Sequence, residues 1–230
     1  MTIFIDSANL DEIKSAFELG VVKGVTTNQS IFLKSGYKYS PENYMLLIKQ
    51  IAEEANGFPV SIELTNVHGD LYPIIEDAIA ITKIADNINI KVPMLQNGNG
   101  LRLIKRLSEL DIKVNATCLM TPAQAILASE AGAYYVSLFY RRMLDNYGEC
   151  VEMVGDDFHT TKAYLEFHSL GTKLIAGSIR KPGDVTQCFK YGADIVTVPY
   201  PLLLGMIPHP KTQEVIEEFD KSWKQFVSNK

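Results

Sequence analysis

One lysine, Lys91, lies inside a short apolar run, Ile90-Lys91-Val92, that Pro93 ends. Lysine is rarely buried without a partner or a function, and burial favours the neutral amine over the ammonium. A neutral amine can attack a carbonyl carbon and form a Schiff base. The position therefore suggests imine chemistry. The alternative is an edge lysine whose stem lies along a sheet while its ammonium reaches water, and this run alone favours that alternative.

The elements that would position this lysine alternate along the whole chain. Short apolar runs typical of strands are separated by longer stretches with helical spacing, which is the pattern of parallel βαβ units. Eight runs are present, the number that closes a (β/α)8 barrel. The predicted strands are Ile3–Ile5, Gly24–Thr26, Val60–Leu64, Ile88–Val92, Lys113–Ala116, Tyr134–Ser137, Lys173–Ala176 and Asp194–Val198.

The fold class predicted from this alternation is α/β, a single (β/α)8 TIM barrel. One domain is expected over residues 1–230, because no Pro/Ser-rich linker or shift in composition interrupts the chain. An extra C-terminal tail helix is predicted at about 212–228, with Phe219, Trp223 and Phe226 at helical spacing. These aromatic side chains could pack on the chain's own barrel or on a neighbouring subunit, and their spacing favours neither.

Composition and charge exclude several classes of protein. The formal charge of −5 gives no positive surface for nucleic acid or an anionic membrane, and no apolar run is long enough to cross a bilayer. The N-terminus lacks a signal sequence, so a cytoplasmic protein is expected. The three cysteines are widely spaced and the four histidines lack metal-ligand spacing. This predicts no disulfide framework, no catalytic metal and no cofactor.

Polar residues recur where the predicted strands end, and in a barrel of this type those carboxyl ends form the active site. Singly, each of these residues could cap a helix or pair at the surface. Together they predict one polar mouth, because carboxylates, a lysine, amides, hydroxyls and arginines would all face the same opening. The residues are Asp6, Asn28, Glu63, Lys91, Asn115, Thr117, Ser137, Arg142, Ser178 and Arg180.

Two features of this mouth are specific. Lys113 and Lys173 begin their predicted strands and so belong to the opposite end of the barrel, which leaves Lys91 at the catalytic end. The loop Ala176-Gly177-Ser178-Ile179-Arg180 resembles an anion site, because small residues let the backbone approach an anion and arginine binds phosphate through two N–H groups. Arg142 is the expected second phosphate ligand.

Five segments resemble, in order, those of the small transaldolases and the closely related fructose-6-phosphate aldolases. The similarity spans nearly the whole chain, with one segment at each of five predicted strand ends. The segments are Phe4-Ile5-Asp6-Ser7-Ala8-Asn9, Gly24-Val25-Thr26-Thr27-Asn28, Ile90-Lys91-Val92-Pro93-Met94, Asn115-Ala116-Thr117 and Ala176-Gly177-Ser178-Ile179-Arg180.

This resemblance implies a metal-free Schiff-base enzyme. Lys91 would form an imine with the C2 carbonyl of a ketose phosphate, and Asp6 would take the proton from the C4 hydroxyl. Glu63 and Thr117 would hold a water that shuttles protons. The remaining site residues would bind substrate: Asn28, Asn115 and Ser137 would bind hydroxyls of the three-carbon unit, and Arg142, Ser178 and Arg180 the phosphate.

The resemblance also implies the reaction and the assembly. A dihydroxyacetone unit would pass from fructose 6-phosphate or sedoheptulose 7-phosphate to an aldose phosphate such as erythrose 4-phosphate or glyceraldehyde 3-phosphate, in the pentose phosphate pathway. The assembly would be a ring-like homo-oligomer, a pentamer or decamer, with the tail helix packed on a neighbour.

Two positions favour the transaldolase branch. The aldolase branch has glutamine where this chain has Glu63 and tyrosine where it has Phe139. Alternatives are an aldolase that uses free dihydroxyacetone, for which Tyr140 could supply a hydroxyl, and a non-catalytic barrel that binds a sugar phosphate. The chain also departs from the family at four positions that are expected to alter the rim: Gln29, Leu138, Tyr140 and Arg141.

Overall fold

Eight parallel strands close into a barrel in the order in which they occur along the chain, in a computed structural model that describes residues 1–228. This confirms the predicted (β/α)8 architecture, and each predicted strand is present with its ends shifted by a few residues. The strands are β1 Thr2–Asp6, β2 Val22–Thr26, β3 Val60–Glu63, β4 Ile88–Pro93, β5 Val114–Leu119, β6 Tyr135–Phe139, β7 Lys173–Gly177 and β8 Ile195–Val198.

Helices follow every strand, and two of them are additions to the predicted pattern. The helices α2 and α7 have 6 and 7 residues, too few for a helical repeat of apolar residues to stand out. The helices are α1 Leu10–Glu18, α2 Gln29–Lys34, α3 Pro41–Glu54, α4 Leu71–Thr82, α5 Asn99–Ser108, α6 Pro122–Glu130, α7 Tyr140–Asn146, α8 Val151–Phe167, α9 Pro182–Lys190, α10 Tyr200–Gly205 and α11 Pro210–Ser228.

The apolar core lies between the barrel wall and the helices. Ile62 and Ile90 on the strands and Leu103, Ile104 and Leu107 on α5 are fully buried in one cluster. Burying each such side chain stabilises the fold by about 1.5–3 kcal/mol. Because successive side chains of a strand point to opposite faces, these aliphatic residues face outward. The inward positions between them are left for other residue types.

Inside the barrel, a small apolar layer lies below the polar side chains at the carboxyl ends of the strands. The inner apolar layer consists of Phe4, Tyr135, Ile175 and Ile195. Phe4 fits because β2 has glycine opposite it: a Cβ at Gly24 would lie 2.6 Å from the Phe4 ring. This layer fills the barrel below the polar side chains of the candidate site.

The tail helix α11 packs differently from the others, since none of its residues is buried. Its apolar side chains Ile216, Phe219, Trp223 and Phe226 are exposed by 47%, 68%, 65% and 69%. Of the two predicted packing partners, the chain's own barrel is therefore not the one that covers this face. No helix within the described part of the chain is long and apolar enough to cross a membrane.

Candidate active site at the carboxyl ends of the strands

Lys91 is buried on the inside of the barrel wall, with 4% of its surface exposed. The register of β3 with β4 places Glu63 directly beside it. The ammonium Nζ lies 3.0 Å from Glu63 Oε2 and donates to the Thr27 carbonyl oxygen at 3.0 Å. The alternative of an edge lysine that reaches water is therefore wrong. A buried carboxylate therefore lies within proton-transfer distance of a buried amine at this end of the inner wall.

Asp6 ends β1 next to Thr26, its register partner on β2. The Thr26 hydroxyl donates to Asp6 Oδ1 at 2.6 Å and lies 2.5 Å from the Thr197 hydroxyl. Burial raises the pKa of Asp6 above its usual value, although the charges of Lys91 and Lys34 and the Thr26 hydrogen bond act against it. A carboxylate with a raised pKa holds a proton more firmly and suits general acid–base work near neutral pH.

Thr117 shares strand parity with Asn115 and therefore points into the barrel, just before an irregularity in β5. The pairing of β5 with β6 shifts by one residue between Ala116 and Leu119, and Cys118 adopts φ +59° there. The Thr117 hydroxyl is fully buried and has no hydrogen-bond partner of good geometry among residues 1–228. Leaving such a group unpaired costs about 1–3 kcal/mol, and the hydroxyl lies beside the cavity and not in its lining.

The neighbouring thiol is a poor nucleophile. Burial, followed by the charge of Glu63, raises the pKa of Cys118, so the thiol keeps its proton at neutral pH.

A chain of hydrogen bonds fixes the next two predicted residues. Ser137 Oγ donates to Asn115 Oδ1 at 2.7 Å, and Asn115 Nδ2 donates to Ser61 Oγ at 3.1 Å. All three side chains are buried inside the barrel. Ser137 faces the cavity above it, whereas Asn115 lies behind and orients it.

A cavity of about 430 Å³ opens above Lys91 at the carboxyl ends of the strands. It brings together seven of the predicted residues, whereas Glu63, Asn115 and Thr117 lie buried beside it and Arg180 lies outside its lining. The seven are Asp6, Asn28, Lys91, Ser137, Phe139, Arg142 and Ser178. Within residues 1–228, no group of three or more His, Cys, Asp or Glu side chains could hold a metal ion.

Asn28 has a structural task as well as a place in this lining. Its Oδ1 accepts from the Ile31 N–H at 3.0 Å and caps the first turn of α2. The amide Nδ2 remains as a donor toward the cavity.

The predicted phosphate end of the cavity is formed by Arg142 and Ser178. Arg142 is exposed, and its guanidinium lies 5.9 Å from the Phe139 ring centre. Ser178 follows Gly177 with φ +59°, a left-handed conformation that turns its side chain to the cavity. Arg180 is engaged elsewhere, because its guanidinium donates to both oxygens of Asp145 at 2.8 and 2.6 Å.

None of the four unusual residues lines the cavity, which corrects the expectation that they alter its rim. Leu138 is fully buried on the outer face of β6. Tyr140 begins α7 and packs edge-on against Phe158, so its hydroxyl does not enter the site. Arg141 is buried and forms a two-point ion pair with Asp184.

The fourth, Gln29, joins two strand ends. Its Nε2 donates to the Leu64 carbonyl oxygen at 2.9 Å, which ties the start of α2 to the segment after β3. A proline at this position would have no donor to form this bond.

Two of the cavity residues that were not predicted, Thr26 and Lys34, bear directly on Asp6. Thr26 belongs to one of the five segments that carry the family resemblance. It ends β2 beside Asp6 and points into the barrel, and this inward position at a strand end is the signal that could have identified it. Lys34 lines the cavity from the last turn of α2, and its charge opposes the rise that burial causes in the pKa of Asp6. Because α2 itself was not predicted, nothing in the sequence placed Lys34 at the mouth.

Comparison with known proteins identifies a family for the whole chain. A family model described as Transaldolase/Fructose-6-phosphate aldolase matches residues 3–229. A protein of Thermodesulfovibrio yellowstonii named "Probable transaldolase" is 39% identical over 98% of this chain and 99% of its own length. Proteins of the same name from Clostridium kluyveri and Thermoplasma volcanium are 38% and 36% identical, over 97% and 98% of this chain and 98% and 96% of theirs.

A solved structure supports the fold alone. A thiamine phosphate pyrophosphorylase from Pyrococcus furiosus superposes with a TM-score of 0.58 over 86% of this chain and 85% of that chain, at 11% sequence identity.

Proposed function

The chain belongs to the transaldolase/fructose-6-phosphate aldolase family, and we propose that it is a transaldolase. It transfers a dihydroxyacetone unit from a ketose phosphate to an aldose phosphate through a Schiff base on Lys91. The observation that carries this proposal is the buried pair of Lys91 and Glu63, with 3.0 Å between Nζ and Oε2. A buried amine with a proton acceptor in contact is the requirement for attack on a carbonyl.

The first step is formation of the imine. Glu63 accepts a proton from the Lys91 ammonium, and the neutral amine attacks C2 of fructose 6-phosphate or sedoheptulose 7-phosphate. Loss of the C2 oxygen as water gives the protonated imine. The unpaired Thr117 hydroxyl supplies a hydrogen-bonding position for that water beside the two reacting groups.

The second step is cleavage of the C3–C4 bond. Asp6 takes the C4 hydroxyl proton, the C4 oxygen becomes a carbonyl, and the bonding electrons move to the imine as an enamine. An aldose phosphate leaves, and the three-carbon unit stays on Lys91. The raised pKa of Asp6 lets the same carboxyl return the proton when the acceptor, erythrose 4-phosphate or glyceraldehyde 3-phosphate, is joined.

The substrate is held by groups on both sides of Lys91. Ser137, oriented by Asn115, and the free amide of Asn28 bind hydroxyls of the three-carbon unit. Arg142 and Ser178 bind the phosphate. Arg180 reaches the phosphate when its ion pair with Asp145 opens.

The choice of transaldolase over aldolase depends on Phe139. A phenol at this place could protonate the enamine and release free dihydroxyacetone, but phenylalanine carries no proton to give. The Tyr140 hydroxyl does not replace it, because that side chain packs away from the cavity. The intermediate therefore waits for an aldose acceptor. A fructose-6-phosphate aldolase and a non-catalytic sugar-phosphate-binding barrel are the alternatives.

The proposal extends to the assembly and the setting of the enzyme. The exposed aromatic face of α11, with Phe219 and Trp223, packs on another copy of the chain in a homo-oligomer, a pentamer or decamer. The enzyme acts in the cytoplasm, in the pentose phosphate pathway, as one barrel domain. Its three cysteines are free, which suits a reducing compartment. It has no cofactor and does not bind nucleic acid.

The experiment that tests the reaction measures glyceraldehyde 3-phosphate release from fructose 6-phosphate, with and without erythrose 4-phosphate. Sustained release only with the acceptor supports transaldolase. Equal turnover without the acceptor would instead identify an aldolase and would remove the argument from Phe139. Binding without any release would favour the non-catalytic barrel.

A further inference from the structure

The N-terminal end of the barrel holds a second cavity, larger than the first. Its volume is about 810 Å³, against about 430 Å³ at the carboxyl end. Small-molecule sites commonly have volumes of about 300–1,000 Å³. In barrels of this type the N-terminal end serves stability and the other end catalysis, so the polar groups that line this cavity are not explained by the transaldolase reaction.

Three lysines line this second cavity: Lys23, Lys113 and Lys173. None of them is within ion-pair distance of a carboxylate in the described chain. The Lys23 ammonium lies 5.0 Å from the Phe58 ring centre, and that of Lys113 lies 5.1 Å from Tyr134. A cation–π contact holds an ammonium in place without neutralising its charge, so the three charges are available to an anion.

Asn89 is the second, independent observation. It lines the cavity with 2% of its surface exposed, and its Nδ2 has no hydrogen-bond partner among residues 1–228. It shares strand parity with Lys91 and therefore points to the inside of the barrel. A buried amide without an acceptor costs about 1–3 kcal/mol. In the present rotamer the Nδ2 atom is out of reach of solvent. A half-turn of the amide, which exchanges Nδ2 and Oδ1, would bring this donor to a ligand oxygen in the cavity.

The donors occupy one side of the cavity. Asn89 lies on β4, Lys113 immediately precedes β5, Tyr135 begins β6 and Lys173 begins β7, so they stand on four consecutive strands. The Tyr135 ring, on the strand between those of Lys113 and Lys173, offers a flat apolar surface beside the charges.

Carboxylates also line the cavity, but two of the three have cations of their own. Asp194 lies 2.6 Å from Lys162 Nζ, and Glu53 lies 3.8 Å from Lys49 Nζ. Asp86 is the third. The lining thus has three lysines against one carboxylate without an ion pair in the described chain, which favours an anionic ligand.

We propose that this cavity binds an organic phosphate. The phosphate oxygens accept a hydrogen bond from Asn89 and are held by Lys113 and Lys173. The organic part rests against Tyr134 and Tyr135. This site is separate from Lys91 and does not depend on the proposed reaction.

The test is calorimetric titration with sorbitol 6-phosphate, which has no carbonyl and so cannot form an imine. Wild type is compared with a Lys113→Met/Lys173→Met double variant. The control is Lys190→Met, which removes a lysine that likewise lies over a tyrosine, 5.9 Å from Tyr191, but outside the cavity. We expect the double variant to lose one binding site, or at least tenfold in its affinity, and the control to bind as wild type does.

Two further arms make the result unambiguous. Asn89→Asp replaces the amide donor by a carboxylate of the same shape, and we expect a loss of at least tenfold at the same site, with folding checked by thermal melting. Titration with inorganic phosphate shows whether the phosphate group alone is enough for binding. If inorganic phosphate binds at this site and sorbitol 6-phosphate does not, the proposal of an organic ligand is overturned.

Arg142→Ala separates the two ends of the barrel, because it weakens binding only at the carboxyl end. If the proposed transaldolase reaction is wrong and wild type has a single site, the lysine double variant still removes that site. Identical isotherms for wild type and the double variant would overturn the proposal.

Discussion

The two ends of this barrel both present lysines on the inner wall, but these lysines differ in burial and in ion pairing. At the carboxyl end, Lys91 is buried and touches Glu63 at 3.0 Å. At the N-terminal end, Lys113 and Lys173 are exposed and have no carboxylate in ion-pair distance within the described residues. Lys113 shares strand parity with the site residue Asn115, so the difference between the ends is position along a strand and not which face the residue takes.

This contrast shows what makes a lysine a nucleophile. An exposed ammonium keeps its proton and attracts anions, whereas a buried one beside a carboxylate can pass its proton on and attack a carbonyl. The two proposals therefore assign the same residue type to binding at one end of the barrel and to covalent chemistry at the other.

The largest effect is expected for the buried lysine. Lys91→Met removes the amine but keeps a side chain of similar length, and we expect turnover of fructose 6-phosphate with erythrose 4-phosphate to fall by about 10⁴-fold or more. Lys105→Met, at an exposed position on α5, is the control and should retain activity. Substantial turnover by the Lys91 variant would mean that the contrast between the two ends does not govern the chemistry.

The next effect concerns the acid–base group. Asp6→Asn should lower kcat by about 10²–10⁴-fold, because the amide cannot take the C4 hydroxyl proton. Asp6 must be ionised to act, and its pKa is raised, so the acidic limb of the wild-type kcat/KM profile should lie above the usual range of aspartate. An acidic limb that persists unchanged in the variant would assign it to another group.

A third prediction separates support of the carboxyl end from its chemistry. Arg141 and Asp184 are both buried, with side-chain exposures of 10% and 4%, and their carboxylate also accepts from the Arg180 and Lys181 N–H groups. Arg141→Met should lower the free energy of unfolding by about 3–5 kcal/mol. Denaturant unfolding measures this. Loss of activity at unchanged stability would place Arg141 in the site.

The same pair predicts a dependence on pH. Burial raises the pKa of Asp184, but hydrogen bonds from Arg141 and from two backbone N–H groups outweigh it and hold the pKa below the usual value. The stabilisation is therefore present above the unfolded value of about pH 3.9 and is lost as the pH falls below it. The acid-induced loss should be smaller in Arg141→Met than in wild type.

The smallest effect concerns the phosphate. Arg142→Ala should raise KM for fructose 6-phosphate by about 10–100-fold, since a hydrogen bond to a charged group contributes about 1.5–3 kcal/mol. Arg180→Ala should have the smaller effect, because Arg180 is already bound to Asp145. The reverse order would mean that the ion pair opens and that Arg180 is the principal ligand.

The sequence predicted the eight strands because each is a short apolar run bounded by helical spacing, and it predicted Lys91 because a charge interrupts one such run. It did not predict α2 and α7, which are too short for a periodic pattern, and with α2 it missed Lys34.

Other features depend on tertiary contacts that have no local signal. The ion pair of Arg180 with Asp145 joins residues 35 apart in sequence. The direction of the Tyr140 side chain depends on the boundary between β6 and α7, and moving that boundary by one residue would change it. The partner of Arg141, on α9, follows only from the packing of α7 against the loop after β7.

The central claim is a covalent intermediate on Lys91, and borohydride reduction in the presence of fructose 6-phosphate tests it most directly. Peptide mass spectrometry of the reduced protein should find the added three-carbon unit on Lys91 and on no other lysine, with Lys113 and Lys173 unmodified. A reduced adduct on a different lysine, or none at a substrate concentration that saturates turnover, would contradict the account.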